Sequence, residues 1–87
     1  MLVEILKKRW KLRFTRLKIN RGECDAPTKP GKEIRIDSEL REEERLEVVI
    51  HEATHCAFWF LDEEYVTQFA EDTAKLLWRL GYRNVDE

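Results

Sequence analysis

From Arg9 to Phe14 the chain alternates polar and apolar positions. Trp10, Leu12 and Phe14 fall on one side of an extended segment, and Arg9, Lys11 and Arg13 on the other. A period of two is that of a β-strand with one buried face. Val3 and Ile5 alternate with Glu4 in the same way, and a turn around Lys7 and Lys8 joins the two runs into a hairpin. That turn contains no Gly or Asn, so the sequence marks no standard two-residue geometry. Parity shifts after Thr15 to Leu17 and Ile19, which predicts a bulge or a strand end. Asn20 to Lys32, with Gly22, Pro27, Pro30 and Gly31, reads as a loop. Glu33 to Asp37 reads as a short third strand.

The period then changes. Leu46, Val49, Ile50, Ala53, Ala57 and Phe60 recur at helical spacing, which predicts an amphipathic helix ending near Phe60 or Leu61. Asp37 and Ser38 are good N-caps for it, and Glu42, Glu43 and Glu44 suit its first turn. Asp62 caps a second helix whose apolar face is Val66, Phe69, Ala70, Thr73, Leu76, Leu77 and Leu80, with Gly81 as the C′ residue. The expected fold class is α+β: a small three-stranded sheet, made of the N-terminal hairpin plus a strand near 33–37, packed on two helices. At 87 residues the chain is expected to form one domain, 1–87, with a thin core that a bound ligand would stabilise.

Composition narrows the class. Charged residues make up 39% and apolar residues 43%, as in soluble globular domains. No apolar run approaches the roughly 20 residues that span a bilayer, and Met1 to Leu6 is too short and interrupted for a secretory signal. The expectation is a cytoplasmic protein without membrane contact. Cys24 and Cys56 have no C-x-x-C spacing, so free thiols are expected. The net charge of −2 is unevenly spread. Residues 1–36 carry eleven Lys and Arg against four Asp and Glu, and residues 37–87 carry five against fourteen.

The chemistry lies in His51-Glu52-Ala53-Thr54-His55, an H-E-x-x-H sequence within the first helical pattern. Positions four apart on a helix lie one above the other, so two imidazoles can share one metal ion. Glu52 projects beside the same face, close enough to polarise a metal-bound water. Zinc takes imidazole nitrogen readily and, in catalytic sites, keeps a position open for water. The motif therefore points to metal-assisted hydrolysis, usually of a peptide bond.

A strand, a helix bearing the motif and an acidic residue opening a further helix together resemble the zincin metalloproteases. The segments that carry the likeness are Gly31 to Asp37, the motif helix, Leu61 to Glu64 and Leu77 to Tyr82. The closer likeness is to gluzincin-type enzymes and to the minimal H-E-x-x-H proteins of phages and bacteria. The resemblance implies a zinc peptidase in which His51 and His55 bind Zn2+, Glu52 is the general base, and a Glu on a later helix is the third ligand. Asp62, Glu63 and Glu64 are candidates for that ligand. Asp62 has a competing role as N-cap. Glu63 shares a helix face with Val66 and Ala70, whereas Glu64 lies in an exposed row with Gln68, Glu71 and Lys75. Glu63 is preferred and Glu64 stays open. Only seven residues separate His55 from Glu63, so the chain must reverse sharply after the motif helix. The resemblance also implies a peptide or protein substrate along an edge strand, for which Ile34 to Ile36 is the candidate. Tyr65, Tyr82 and Arg83 are candidate oxyanion donors.

Two other readings stand beside the hydrolase. One is a non-catalytic domain that zinc stabilises. The other is a nucleic-acid-associated module using the basic hairpin with Trp10 and Phe14, but those aromatics share the apolar parity and should be buried, which counts against base stacking. Trp59 and Trp78 are expected in the core. The sequence leaves monomer and homodimer undecided.

Overall fold

In the computed structural model, which describes residues 1–84, the N-terminal alternation becomes β1 (Leu2–Ile5) and β2 (Lys8–Thr15), paired antiparallel with Val3 opposite Trp10 and Ile5 opposite Lys8. The reversal falls on Leu6 and Lys7, one residue earlier than expected. Both have positive φ, 49° and 64°, the signature of a type I′ turn built without its usual Asn-Gly. The turn matches the strand twist at a local cost that the hairpin's pairing offsets.

The sheet has four strands, not three. Gly22–Cys24, expected in a loop, forms β3, and β4 is Glu33–Asp37. The order is β1-β2-β4-β3, with β2 and β4 parallel and β3 and β4 antiparallel. The strand pattern was too short to register in β3, and it forms because β4 offers it a ladder. Gly31, with φ of 64°, completes the connection between the two. This topology corrects the assignment of Ile34–Ile36 as the edge. β4 is paired on both sides, as the burial of Ile34 and Ile36 requires. The free edges are β1 and β3.

Two helices follow, α1 (Glu42–Ala57) and α2 (Glu63–Arg79). The N-cap of α1 is Arg41 rather than Asp37 or Ser38. Asp37 instead ends β4, where its carboxylate accepts the backbone N–H groups of Leu17 and Glu39. α1 stops at Ala57, three residues short of Phe60, and the Leu61 N–H donates to the Phe58 carbonyl in a turn that leads to Asp62, the N-cap of α2. No glycine is needed there. At the other end of α2, Gly81 (φ 91°) donates to the Trp78 carbonyl and Tyr82 to that of Leu77, a Schellman closure.

α1 is the middle layer. Val48, Glu52 and Cys56 are buried toward the sheet, with Trp10, Ile34, Ile36 and Leu40 completing the core. α2 packs on the opposite side of α1 through Val66, Ala70 and Ala74. Its expected apolar stripe is therefore only half used. Phe69, Leu76 and Leu80 stay exposed because, among the described residues, no element covers the outer side of α2. Phe14 is likewise not in the core, and the Arg45 guanidinium sits over its ring at 4.2 Å. Among the described residues, no helix is long and apolar enough to cross a membrane.

Candidate metal centre

α1 carries His51, Glu52 and His55 in its last two turns. The turn after Ala57 brings the first residue of α2 back over them. Glu63 Oε1 lies 2.9 Å from His51 Nε2, and Glu63 Oε2 lies 2.8 Å from His55 Nε2. The rings are 4.9 Å apart and steeply inclined, at 65°, so both Nε2 atoms aim at the same carboxylate. Ligand atoms from these three residues fall within 4.8 Å of one another. Tetrahedral zinc with bonds of about 2.0–2.1 Å places its ligand atoms about 3.4 Å apart, inside that spread. The donor set of two imidazoles and one carboxylate suits zinc and leaves a fourth position. The three residues fit such an ion.

Glu63 differs from its expected placement in one respect. Its side chain is 65% exposed, whereas those of His51 and His55 are 17% and 19% exposed. It reaches the histidines from the rim, at the start of the helix, rather than from a buried face.

Glu52 faces the sheet and is buried. Burial pushes its carboxyl above the ordinary value, opposed by the two imidazoles and by a hydrogen bond from the Cys24 thiol. The Cys24 thiol is pushed up in turn, by its contact with Cys56 and by burial, so it stays a neutral neighbour. Both cysteines are free.

These side chains line one cavity of about 450 Å³, together with Val48 and the segment Asn20 to Cys24. That segment was missed in the sequence because its one marker, Gly22, reads equally as a loop residue. Gly22 has a steric role. A Cβ there would lie 2.7 Å from Val48 Cγ1 and 2.9 Å from Glu52 Cγ. Arg21 is the cationic residue lining the cavity, and Glu44 and Glu47 hold its guanidinium at 3.0 and 3.7 Å.

Three other expectations are corrected. Tyr65, Tyr82 and Arg83 do not line the cavity. Arg83 stacks on Trp78 at 3.4 Å and donates to the Trp78 and Tyr82 carbonyls, about 25 Å of helix away from Glu63. Trp59 is 40% exposed rather than in the core. The strand edge beside the site is β3, not Ile34–Ile36. Arg21, Glu23 and Asp25 face β4 with their backbone groups, so alternation turns those of Gly22 and Cys24 outward.

No protein-family model, curated protein sequence or solved structure matches the chain.

Proposed function

We propose that this protein is a zinc-dependent hydrolase acting on peptide bonds, with His51, His55 and Glu63 as metal ligands and Glu52 as general base. The observation that carries the reading is the convergence of both Nε2 atoms on one carboxylate, beside a buried glutamate that opens on the same cavity. Bound there, zinc supplies Lewis acidity that makes water nucleophilic near neutral pH and polarises a carbonyl. Glu52 takes the proton that attack releases and delivers it to the departing amine. The backbone of Gly22, packed against the Glu52 side chain, keeps its carboxyl beside the cavity. The outward N–H and C=O groups of Gly22 and Cys24 offer an extended peptide a strand to pair with, next to the acid–base group. Arg21, anchored by Glu44 and Glu47, is the positive group available to the developing oxyanion.

The nucleic-acid reading has less support. Trp10 is 1% exposed, Arg45 covers Phe14, and Arg13 and Arg16 pair with Glu33 and Glu39. The test is elemental analysis of untagged protein with peptide hydrolysis in parallel. The reading expects one zinc per chain, lost in His55→Ala and Glu63→Ala. It also expects Glu52→Gln to keep the zinc and lose hydrolysis by a hundredfold or more. Zinc uptake with no hydrolysis, unchanged by Glu52→Gln, would reduce the metal to a stabiliser of a small core.

A further inference from the structure

β3 and α1 lie side by side in matching steps. On α1, Val48, Glu52 and Cys56 form one row, all buried. Four residues of helix advance about 6.0 Å, and two residues of strand about 6.6 Å. Gly22 sits between the first two members of the row, since a Cβ there would meet Val48 Cγ1 at 2.7 Å and Glu52 Cγ at 2.9 Å. Cys24 is two residues further along β3 and on the same side of it. It therefore falls between Glu52 and Cys56, and its thiol meets both. With no side chain at Gly22, the strand backbone comes close enough for two short side chains to span the gap to the helix. Neither cysteine is bridged, and they differ in access. Cys24 is half-buried and lines the cavity of the metal centre, whereas Cys56 is 6% exposed.

We infer that Cys24 and Cys56 are a redox pair, which a small disulfide such as oxidised glutathione joins into a reversible bridge between the edge strand and the last turn of the motif helix. The exchange balances in two steps. The Cys24 sulfur gives its proton to solvent and attacks the glutathione disulfide. That S–S bond breaks, one glutathione leaves as a thiolate and takes up a proton, and a mixed disulfide remains. The Cys56 sulfur then gives up its proton and attacks the Cys24 sulfur, which forms the internal S–S bond and releases the second glutathione. Two protein thiols are oxidised, and one glutathione disulfide is reduced to two thiols. Access sets the order: Cys24 meets the oxidant, and Cys56, in contact with it but shielded, resolves the intermediate. Where glutathione keeps thiols reduced, such a pair responds to oxidation rather than standing permanently bridged. The bridge takes the Cys24 hydrogen away from Glu52 and ties down the turn that carries His55. The redox state of the pair thus acts on the candidate metal centre from beneath. The pairing rests on the packing of β3 against α1 and not on the hydrolase reading.

The test incubates untagged protein overnight with oxidised glutathione, because a neutral thiol reacts only through its ionised fraction. Intact mass, non-reducing peptide mapping and thermal melting then read the product. The expected product is a monomer lighter by two hydrogens, with the peptides of Cys24 and Cys56 cross-linked. Closing a loop of about 30 residues should raise its melting temperature by about 10–20 °C, and dithiothreitol should reverse both changes. Cys56→Ala should stop at the mixed disulfide, one glutathione heavier. Cys24→Ala should take up none, since Cys56 is shielded. Melts of the reduced variants show that each is folded. Wild type that keeps both thiols, or that holds a glutathione on Cys24 which Cys56 never displaces, would overturn the inference. So would a bridge between two copies. A bridged monomer that melts below the reduced one would also overturn it, because the bond would then form at the expense of the packing of β3 on α1. The hydrolase reading stands or falls on zinc and peptide cleavage, neither of which enters this measurement.

Discussion

Gly22 of β3 lies directly against Glu52 of α1, so close that a Cβ would sit 2.9 Å from Glu52 Cγ and 3.0 Å from its Oε2. The backbone of the edge strand is thus the wall that fixes the proposed general base. Val48 closes the other side at 2.7 Å and is itself buried, so it cannot swing away. Gly22→Ala is expected to destabilise the fold by about 1–3 kcal/mol through overpacking and to displace Glu52. Urea denaturation reads the first effect, and hydrolysis at unchanged zinc content reads the second. Gly22→Ala combined with Val48→Ala should recover part of the stability, because the pair shares one clash. Additive losses in the double variant would place the cost elsewhere.

Asp25 anchors the far end of the same strand. Its carboxylate accepts from Arg35 at 2.9 Å and from the Glu33 backbone N–H at 2.8 Å. These bonds, the arginine's above all, hold its pKa down at about 2, from an ordinary 3.8. A depressed carboxyl contributes stability that is complete above its unfolded value and is lost as pH falls through the folded one. The expected loss is about 1–2 kcal/mol between pH 4 and about pH 2. Denaturation midpoints across that range should fall in the wild type and fall less in Asp25→Asn. Parallel pH profiles would remove Asp25 from the account.

The candidate site of this chain is more legible in the sequence than its architecture. His51, Glu52 and His55 announce themselves because helical spacing is fixed and only two histidines exist. The preference for Glu63 over Glu64 followed from helix register, although the side chain arrives from the solvent side rather than the buried face. β3 escaped because three residues carry no period, and its consequence, the interior position of β4, escaped with it. The exposed half of α2 is not legible in the sequence for a related reason. Periodicity marks an apolar face, but only tertiary packing decides how much of that face meets a partner. Pattern also could not reveal that Phe58 to Leu61 leave the helix, since the reversal is made by backbone turns without glycine.

The turn at Leu6 and Lys7 gives a prediction independent of the metal. Lys7 has φ of 64°, a region that costs a side-chain-bearing residue about 1 kcal/mol. Lys7→Gly is expected to raise stability by about 0.5–1 kcal/mol, since relief of that cost outweighs the added freedom of the unfolded chain. Lys7→Val, β-branched at the same position, should lower it. Thermal melts of the two variants should bracket the wild type. A destabilised Lys7→Gly would mean that the side chain makes a contribution larger than the backbone cost.

Glu63 and Glu64 are adjacent, both exposed and both acidic, yet only Glu63 meets the histidines. Metal binding to the folded state alone should therefore separate them. Zinc at a thousandfold excess over its dissociation constant adds about 4 kcal/mol, which in a domain of this size corresponds to about 15–30 °C in melting temperature. Wild type and Glu64→Ala are expected to show that rise on adding zinc, and Glu63→Ala to lose most of it. Without zinc the order changes. Glu63→Ala then loses only its contacts with the two imidazoles and should melt within a few degrees of the wild type, by about 1 kcal/mol. A rise lost in Glu64→Ala and kept in Glu63→Ala would transfer the third ligand to Glu64. A rise kept in both would leave the histidines as the whole of the metal's hold.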